Sequence, residues 1–293
     1  MRIFVTGGSG FIGRHLLKVP DGHEWLCLTR RPDELMARAG ASAGVQALPG
    51  DMAQPEEWRG ALERFAPDCC IHLAWEGLPD YSAERCQYNL ALGRRLVDTL
   101  ARAKVARVVV AGSCFEYGNV SGVVAETQAP AECGLFARTK HELRAYLEDA
   151  ARATGLSYRW GRVFFAYGPG QRETSLIPLS RQAFAEGKAP DIRQPRIAQD
   201  FTYVADVARG LLALAEPDLE SGVYNLGSGT PTAVGAVVNH VARQCDRAPP
   251  YADTSFDSGF WADTRKMTAA TGWRAETDLV GGIARTLRLV EAA

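Results

Sequence analysis

Short apolar runs alternate with longer amphipathic ones over the first half of the chain. RIFVTG (residues 2–7) reads as a strand and GFIGRHLLKV (10–19) as the helix after it. EWLCLTR (24–30) and VQALPGD (45–51) read as the second and third strands. PEEWRGALERF (55–65) has helical spacing with a proline suited to its first turn. PDCCIHLAW (67–75) gives a fourth strand, and AERCQYNLALGRRLVDTLARA (83–103) a long helix. VARVVVAGS (105–113) is a fifth strand, and LFARTKHELRAYLEDAARATG (135–155) a second long helix that stops at Gly155. SYRWGRVFFAYGPG (157–170) is a sixth strand and a loop. RIFVTG and RVVVAG are apolar without alternation, as strands covered on both faces are. Strand–helix alternation of this kind predicts an α/β protein with a doubly wound parallel sheet.

The pattern changes near Gly168, where proline and glycine become frequent. The expected division is a dinucleotide-binding domain over 1–168 and a smaller substrate-binding region over 169–293, packed over the C-terminal edge of the sheet. SGVYNLG (221–227) is apolar enough to be a strand, so a segment near 222–227 is expected to return to the main sheet.

Composition narrows the function. A formal net charge of −1 over 293 residues argues for neither a nucleic-acid nor a membrane-surface partner. No stretch is long and apolar enough to span a bilayer. The seven cysteines show no C-x-x-C and read as reduced thiols of a cytoplasmic protein. The five histidines are dispersed, so no metal is expected.

VTGGSGFIG (5–13) carries the most chemistry. Gly8, Gly10 and Gly13 satisfy G-x-G-x-x-G, and Gly7, Gly10 and Gly13 a three-spaced variant with Phe11 and Ile12 between. The run follows an apolar strand and opens an amphipathic helix, the context in which glycine lets a pyrophosphate approach a helix N-terminus. At the end of the second strand stand Thr29, Arg30 and Arg31, where an acid would hold bare ribose hydroxyls. Guanidinium groups suit a 2′-phosphate, so NADP is expected ahead of NAD.

Several motifs then fall in one order along the chain: TGGSGFIG, GDM (50–52), HLAW (72–75), SCFEYG (113–118), Phe136 and Lys140 four apart, YGPGQ (167–171), QDFTYVADVA (199–208), YNLGSG (224–229) and ADTRKM (262–267). Together they resemble the extended short-chain dehydrogenase/reductase family, mostly epimerases, dehydratases and reductases of nucleotide sugars on a Rossmann-type fold. The resemblance implies that Asp51 and Met52 lie by the adenine. Leu73, Ala74 and Trp75 would line the cofactor groove, buttressed by Asn89. Ser113 would bond the reacting sugar oxygen and Lys140 the nicotinamide ribose. It also implies a homodimer paired through the two long helices.

Four departures stand out. Phe136 occupies the position where the family carries a catalytic tyrosine, so the ring is kept and the proton lost. Cys114 and Phe115 follow Ser113 where the 4,6-dehydratases place an acid, which argues against dehydration by the usual scheme. Gln199 and Phe165 stand where arginine and asparagine often contact the diphosphate. Arg172, Arg193 and Arg196 are candidates to compensate, against the plain alternative of surface charge.

The expected activity is therefore NAD(P)-dependent hydride transfer at a sugar carbon, of the 4-ketoreductase or epimerase type. The missing proton would come from Tyr117, the first choice, or from Cys114, Glu116 or a water held by Lys140. Two alternatives stay open: a dinucleotide-binding pseudoenzyme, and a tyrosine-to-phenylalanine variant of an active enzyme.

Overall fold

The computed structural model describes residues 1–19, 22–40 and 44–288. In chain order its elements are β1 (Arg2–Thr6), α1 (Gly13–Leu16), β2 (Glu24–Thr29), α2 (Pro32–Ala39), β3 (Val45–Pro49), α3 (Pro55–Phe65), β4 (Cys69–His72), α4 (Ala83–Arg102) and β5 (Arg107–Ser113). There follow β6 (Gly122–Val124), α5 (Leu135–Thr154), β7 (Ser157–Val163), β8 (Phe165–Tyr167), α6 (Leu176–Ala185), β9 (Ile197–Tyr203), α7 (Val204–Ala213) and β10 (Gly222–Leu226). The chain continues through β11 (Pro231–Ala233), α8 (Val234–Gln244), β12 (Ser258–Ala262), α9 (Arg265–Thr271) and α10 (Leu279–Arg288).

Seven strands form one sheet in the order β10-β7-β5-β4-β1-β2-β3. The registers of β1 with β2, β1 with β4, β2 with β3 and β4 with β5 are all parallel. The apolar runs explain this sheet: Ile3 to Val5 and Cys69 to Ile71 are fully buried, as strands with helices on both faces must be. One core layer gathers Phe4, Trp58, Leu62, Leu96, Leu100, Leu147 and Trp160 from α3, α4, α5 and the strands between them. The return of 222–227 to the main sheet is seen as β10, beside β7.

One local expectation needs correction, and one helix had no expectation attached to it. The first helix covers only Gly13–Leu16, and the chain leaves it in tight turns from Lys18 to His15 and Val19 to Leu16. The run PDELMARA, between the second and third strands, is a helix (α2) that begins on a proline and ends at Gly40 in a positive-φ conformation.

The division into units interleaves rather than falling at 168. The first unit holds residues 1–119, 129–162 and 208–224, and the second holds 120–128, 163–207 and 225–293. The second unit has its own sheet, β11-β9-β12-β6, with β8 paired to β9. Asp200 organises it. Its buried carboxylate accepts from the Ser228 amide and hydroxyl, the Gly229 amide and the Ala262 amide, pinning the loop after β10 and the end of β12 to β9. No helix among the described residues is long and apolar enough to cross a membrane.

Candidate active site

The C-terminal ends of β1 to β4 open onto one cleft of about 400 Å³. Its wall runs from Thr6, Gly7 and Gly10 through Thr29, Arg30 and Arg31 to Asp51, Met52 and the segment Leu73–Gly77. Such a cleft lies where connections from β1 and β4 leave the sheet in opposite directions, the place where doubly wound folds bind ligands. Backbone geometry makes the glycines obligatory. Gly7 has φ +79°, and a Cβ there would meet the Ala74 amide nitrogen at 2.7 Å. A Cβ on Gly13 would meet the Gly7 carbonyl oxygen at 2.3 Å and that of Gly8 at 2.6 Å. Helical bonding starts at once, with the Arg14 amide donating to the Gly10 carbonyl. The loop is held from outside by arginines that sequence reading passed over: Arg38 donates to the Ser9 carbonyl at 2.7 Å and Arg14 to that of Gly10 at 3.3 Å. This cradle, closed to side chains and ringed by cations, fits the pyrophosphate of a dinucleotide.

At the far end, Arg30 pairs with Glu76 at 3.2 Å and with Asp51 at 3.7 Å. Arg31 pairs with Glu34, which also pairs with Arg38. Arg30 and Arg31 are both more than half exposed, so solvent weakens these pairs. Asp51 also accepts from the Ala53 amide and so closes the turn before α3, the structural role that its position allowed. Asn89 of α4 accepts from the Glu76 amide at 2.7 Å and donates to the Glu76 carbonyl at 3.0 Å, fixing the segment that carries Trp75.

Beside the cleft, Lys140 of α5 is buried and donates to the Ala111 carbonyl of β5 at 2.9 Å. Its Nζ lies 4.7 Å from the Trp75 ring centroid and 5.9 Å from those of Phe136 and Trp160. Burial pulls its pKa down to about 8, against the attraction of Glu116. The same burial, reinforced by Lys140, lowers His72 to about 3, so His72 is neutral and bonds Thr6 through its Nδ1 at 2.6 Å.

Ser113 ends β5 and caps a 3-10 turn over Cys114–Tyr117. Its Oγ accepts from the Phe115 amide at 3.2 Å, which leaves its own proton to donate outward. Glu116 reaches back to accept from the Ser113 amide at 2.7 Å, completing a capping box. Its carboxylate also accepts from Trp160 Nε1 at 2.9 Å and pairs with Arg162 at 3.2 Å, all buried.

This arrangement corrects three expectations. Glu116 is wholly buried and consumed by Ser113, Trp160 and Arg162, so it positions Ser113 instead of meeting substrate. Tyr117 is wholly buried too, with the Arg162 guanidinium 4.3 Å over its ring, which removes it as a proton donor to a cleft. Cys114 is only 3% exposed and turns inward with it. The physical reason is shared: the 3-10 turn ends strand alternation at Ser113 and turns Cys114, Glu116 and Tyr117 into the core while Phe115 stays exposed.

Phe136 is half-buried, edge-on to Trp75 at 4.8 Å between centroids and tilted on Tyr81 at 5.0 Å. The position that lacks a hydroxyl is thus lined by rings, with Lys140 behind it. The other residues expected to touch substrate, Phe165, Arg193, Arg196 and Gln199, belong to the second unit. Phe165 of β8 packs on Phe201 and Phe260, and Gln199 of β9 is registered opposite Thr232 and Phe260. Arg196 is committed to Asp253 and Asp257, so surface pairing accounts for it, and Arg193 is exposed.

A glycine-turn cleft at the ends of parallel strands, backed by a buried lysine, defines a dinucleotide-binding protein of the doubly wound class. The chain belongs to the NAD-dependent epimerase/dehydratase family, whose model matches residues 3–227. It is 26% identical to a UDP-glucose 4-epimerase of Neisseria meningitidis serogroup C, over 95% of this chain and 94% of that one. It is 30% identical to a dTDP-6-deoxy-L-talose 4-dehydrogenase (NAD(P)(+)) of Kitasatospora kifunensis, over 81% and 77%. Among solved structures, MoeE5 in complex with UDP-glucuronic acid and NAD superposes with a TM-score of 0.84 at 28% identity, covering 100% of this chain and 99% of that one.

The depressed lysine has a measurable consequence. Below pH 8 the native and unfolded chains both carry the Lys140 proton, and its burial costs stability. Between about 8 and the ordinary value of 10.5 the native chain has shed a proton that the unfolded chain keeps, so this group adds stability as pH rises. Urea midpoints of the wild type should therefore climb relative to Lys140→Met across that window. A difference flat from pH 7 to 10 would show that the ammonium is not desolvated.

Proposed function

We propose that this protein is an NADP-dependent enzyme that moves a hydride at a carbon of a nucleotide sugar, as a 4-ketoreductase or epimerase. The reading is supported by the glycine cradle in the cleft of the first unit, by buried Lys140 lying against Trp75 of the cleft wall, and by the bond of Lys140 to Ala111 on the strand that ends at Ser113. When bound, the dinucleotide gives or takes the hydride. The chain's own residues do the rest. Gly7, Gly10 and Gly13, with Phe11 and Ile12 in the same turn, admit the pyrophosphate. Asp51, Met52, Leu73, Ala74 and Trp75 form the walls that the rings of the dinucleotide lie against. Lys140 donates to the ribose hydroxyls, and Ser113 directs its free proton at the sugar oxygen that becomes, or ceases to be, a carbonyl. Phe165, Arg193 and Gln199 are the second unit's candidates for the nucleotide end of the substrate. Membership of the family supports a nucleotide sugar, and so do the two curated relatives, which are named for UDP- and dTDP-sugar activities.

Preference for NADP rests on Thr29, Arg30 and Arg31 at the end of β2, where an acid would be needed to hold free hydroxyls. The exposed pairs of Arg30 with Glu76 and Arg31 with Glu34 are weak in solvent and would open to a 2′-phosphate, which offers each guanidinium a more highly charged acceptor. MoeE5 was solved with NAD, so the choice needs measurement. Fluorescence titration should give tighter binding of NADPH than NADH, and Arg31→Ala should weaken NADPH about 10-fold with NADH unchanged. Tighter binding of NADH by the wild type would reverse the assignment.

Phe136 favours one other reading, a protein that binds dinucleotide without turnover. Loss of a positioned acid–base costs about 10²–10⁴ in rate. Pairing of two chains through the outer faces of α4 and α5 accompanies either reading.

A further inference from the structure

Phe136 leaves the site without its expected phenol, and the chain's other tyrosines can be weighed one by one. Tyr117, Tyr167, Tyr203 and Tyr224 are buried. Tyr146 and Tyr158 give their hydroxyls to Asp98 and Glu148 at 2.6 Å and 2.9 Å. Tyr251 lies in the second unit, and Tyr88 is paired with the Arg85 guanidinium over its ring. Tyr81 differs from all of these. Its ring rests on Phe136 at 5.0 Å between centroids, and it is 41% exposed.

The surroundings hold it there. Ser82 caps α4 through a bond from the Arg85 amide, and Asp80 accepts from the Ser82 amide, so Tyr81 is clamped between a turn and a helix start. Phe136 in turn is wedged edge-on by Trp75, over which Lys140 lies. Tyr81, Phe136, Trp75 and Lys140 thus form one continuous cluster beside the cleft that Trp75 lines.

We infer that Tyr81 supplies the proton that Phe136 cannot, its phenol working from the neighbouring loop instead of from α5. The inference rests on the hydride-transfer reading above. In the reducing direction the carbonyl carbon of the sugar takes up hydride from the reduced dinucleotide, and the carbonyl oxygen takes the Tyr81 phenolic proton. The products are the hydroxyl sugar, the oxidised dinucleotide and a Tyr81 phenolate. That phenolate regains its proton from water, to which its exposure gives access. In the oxidising direction the same phenolate accepts the hydroxyl proton as hydride leaves the carbon.

The test is a set of four proteins: wild type, Tyr81→Phe, Phe136→Tyr and the double variant. Each is assayed with NADPH and a panel of 4-keto UDP- and dTDP-sugars. Tyr81→Phe keeps the ring that packs on Phe136 and removes only the hydroxyl. Its kcat should fall about 10²–10⁴-fold with NADPH affinity and melting temperature unchanged. The double variant, with the phenol moved to position 136, should recover at least a tenth of wild-type turnover. An independent readout is the alkaline absorbance titration of tyrosine. Binding of the oxidised dinucleotide, whose nicotinamide is cationic, should lower the midpoint of one phenol in the wild type and of none in Tyr81→Phe. Wild-type turnover in Tyr81→Phe, or a midpoint shift that persists in it, overturns the inference and leaves the hydride-transfer reading standing. Activity confined to the proteins that carry Phe136→Tyr overturns it as well. No turnover by any of the four is the separate result that removes the hydride-transfer reading itself.

Discussion

Glu116→Ala should lose about 3–5 kcal/mol of stability, the cost of removing one partner from a buried ion pair. Arg162 would be left 3% exposed with no carboxylate, Trp160 Nε1 would lose its acceptor, and the Ser113 amide would lose the bond that closes the capping box. Conversion to Gln should cost less, because an amide oxygen still accepts from Ser113 and Trp160 while the charge on Arg162 goes unmatched. The two variants separate packing from charge. Urea unfolding reads the loss, and kcat reads its consequence at Ser113, which the box holds in place. A cost under about 1 kcal/mol for the Ala variant would mean that water enters and pairs Arg162, and that Glu116 does not organise the site.

Gly13→Ala should abolish useful dinucleotide binding. Alanine is the better helix former at most helical positions, so propensity alone predicts a gain of up to about 1 kcal/mol. Geometry decides otherwise. The new Cβ would stand 2.3 Å from the Gly7 carbonyl oxygen and 2.6 Å from that of Gly8, both backbone atoms that cannot rotate away. The turn must open, and the close approach of the pyrophosphate goes with it. Affinity for NADPH is expected to fall at least about 100-fold, the loss of two charge-assisted bonds. Gly10→Ala meets one atom, the Gly7 carbonyl oxygen, at 3.1 Å and should be milder. Equal effects at the two positions would show that the loop tolerates or rejects a methyl without regard to this packing.

The sequence made local features legible. Residues 55–65 form a helix at the bounds their pattern predicts, and Gly155 ends α5 in a left-handed conformation as a C-terminal glycine does. The glycine turn and the apolar strands carry their signals within a few residues of themselves. What escaped was set by distant chain. β6 pairs with β12 across more than a hundred residues of sequence, and a run of three residues, Gly122 to Val124, is too short to give a sign of it. Glu116 was a candidate proton donor for its closeness in sequence to Ser113, whereas a 3-10 turn buries it against Trp160 and Arg162. Tyr81 carried no signal at all. It sits in a loop, and only the packing of that loop on Phe136 gives its phenol a part to play. Arg14 and Arg38 were likewise invisible as holders of the glycine loop, since their partners are backbone carbonyls.

The central claim is hydride transfer to or from a nucleotide sugar, and absorbance of the reduced dinucleotide measures it directly. Purified protein is mixed with NADPH and, in turn, 4-keto UDP- and dTDP-sugars, and then with oxidised dinucleotide and the corresponding hydroxyl sugars. Absorbance should fall with at least one keto sugar and rise with its product, in stoichiometric proportion to the sugar converted. Tight binding of the dinucleotide with no change in absorbance for any sugar, and no interconversion of any UDP- or dTDP-sugar with its C4 epimer by chromatography, would contradict that claim and would leave a protein that holds a dinucleotide without using it.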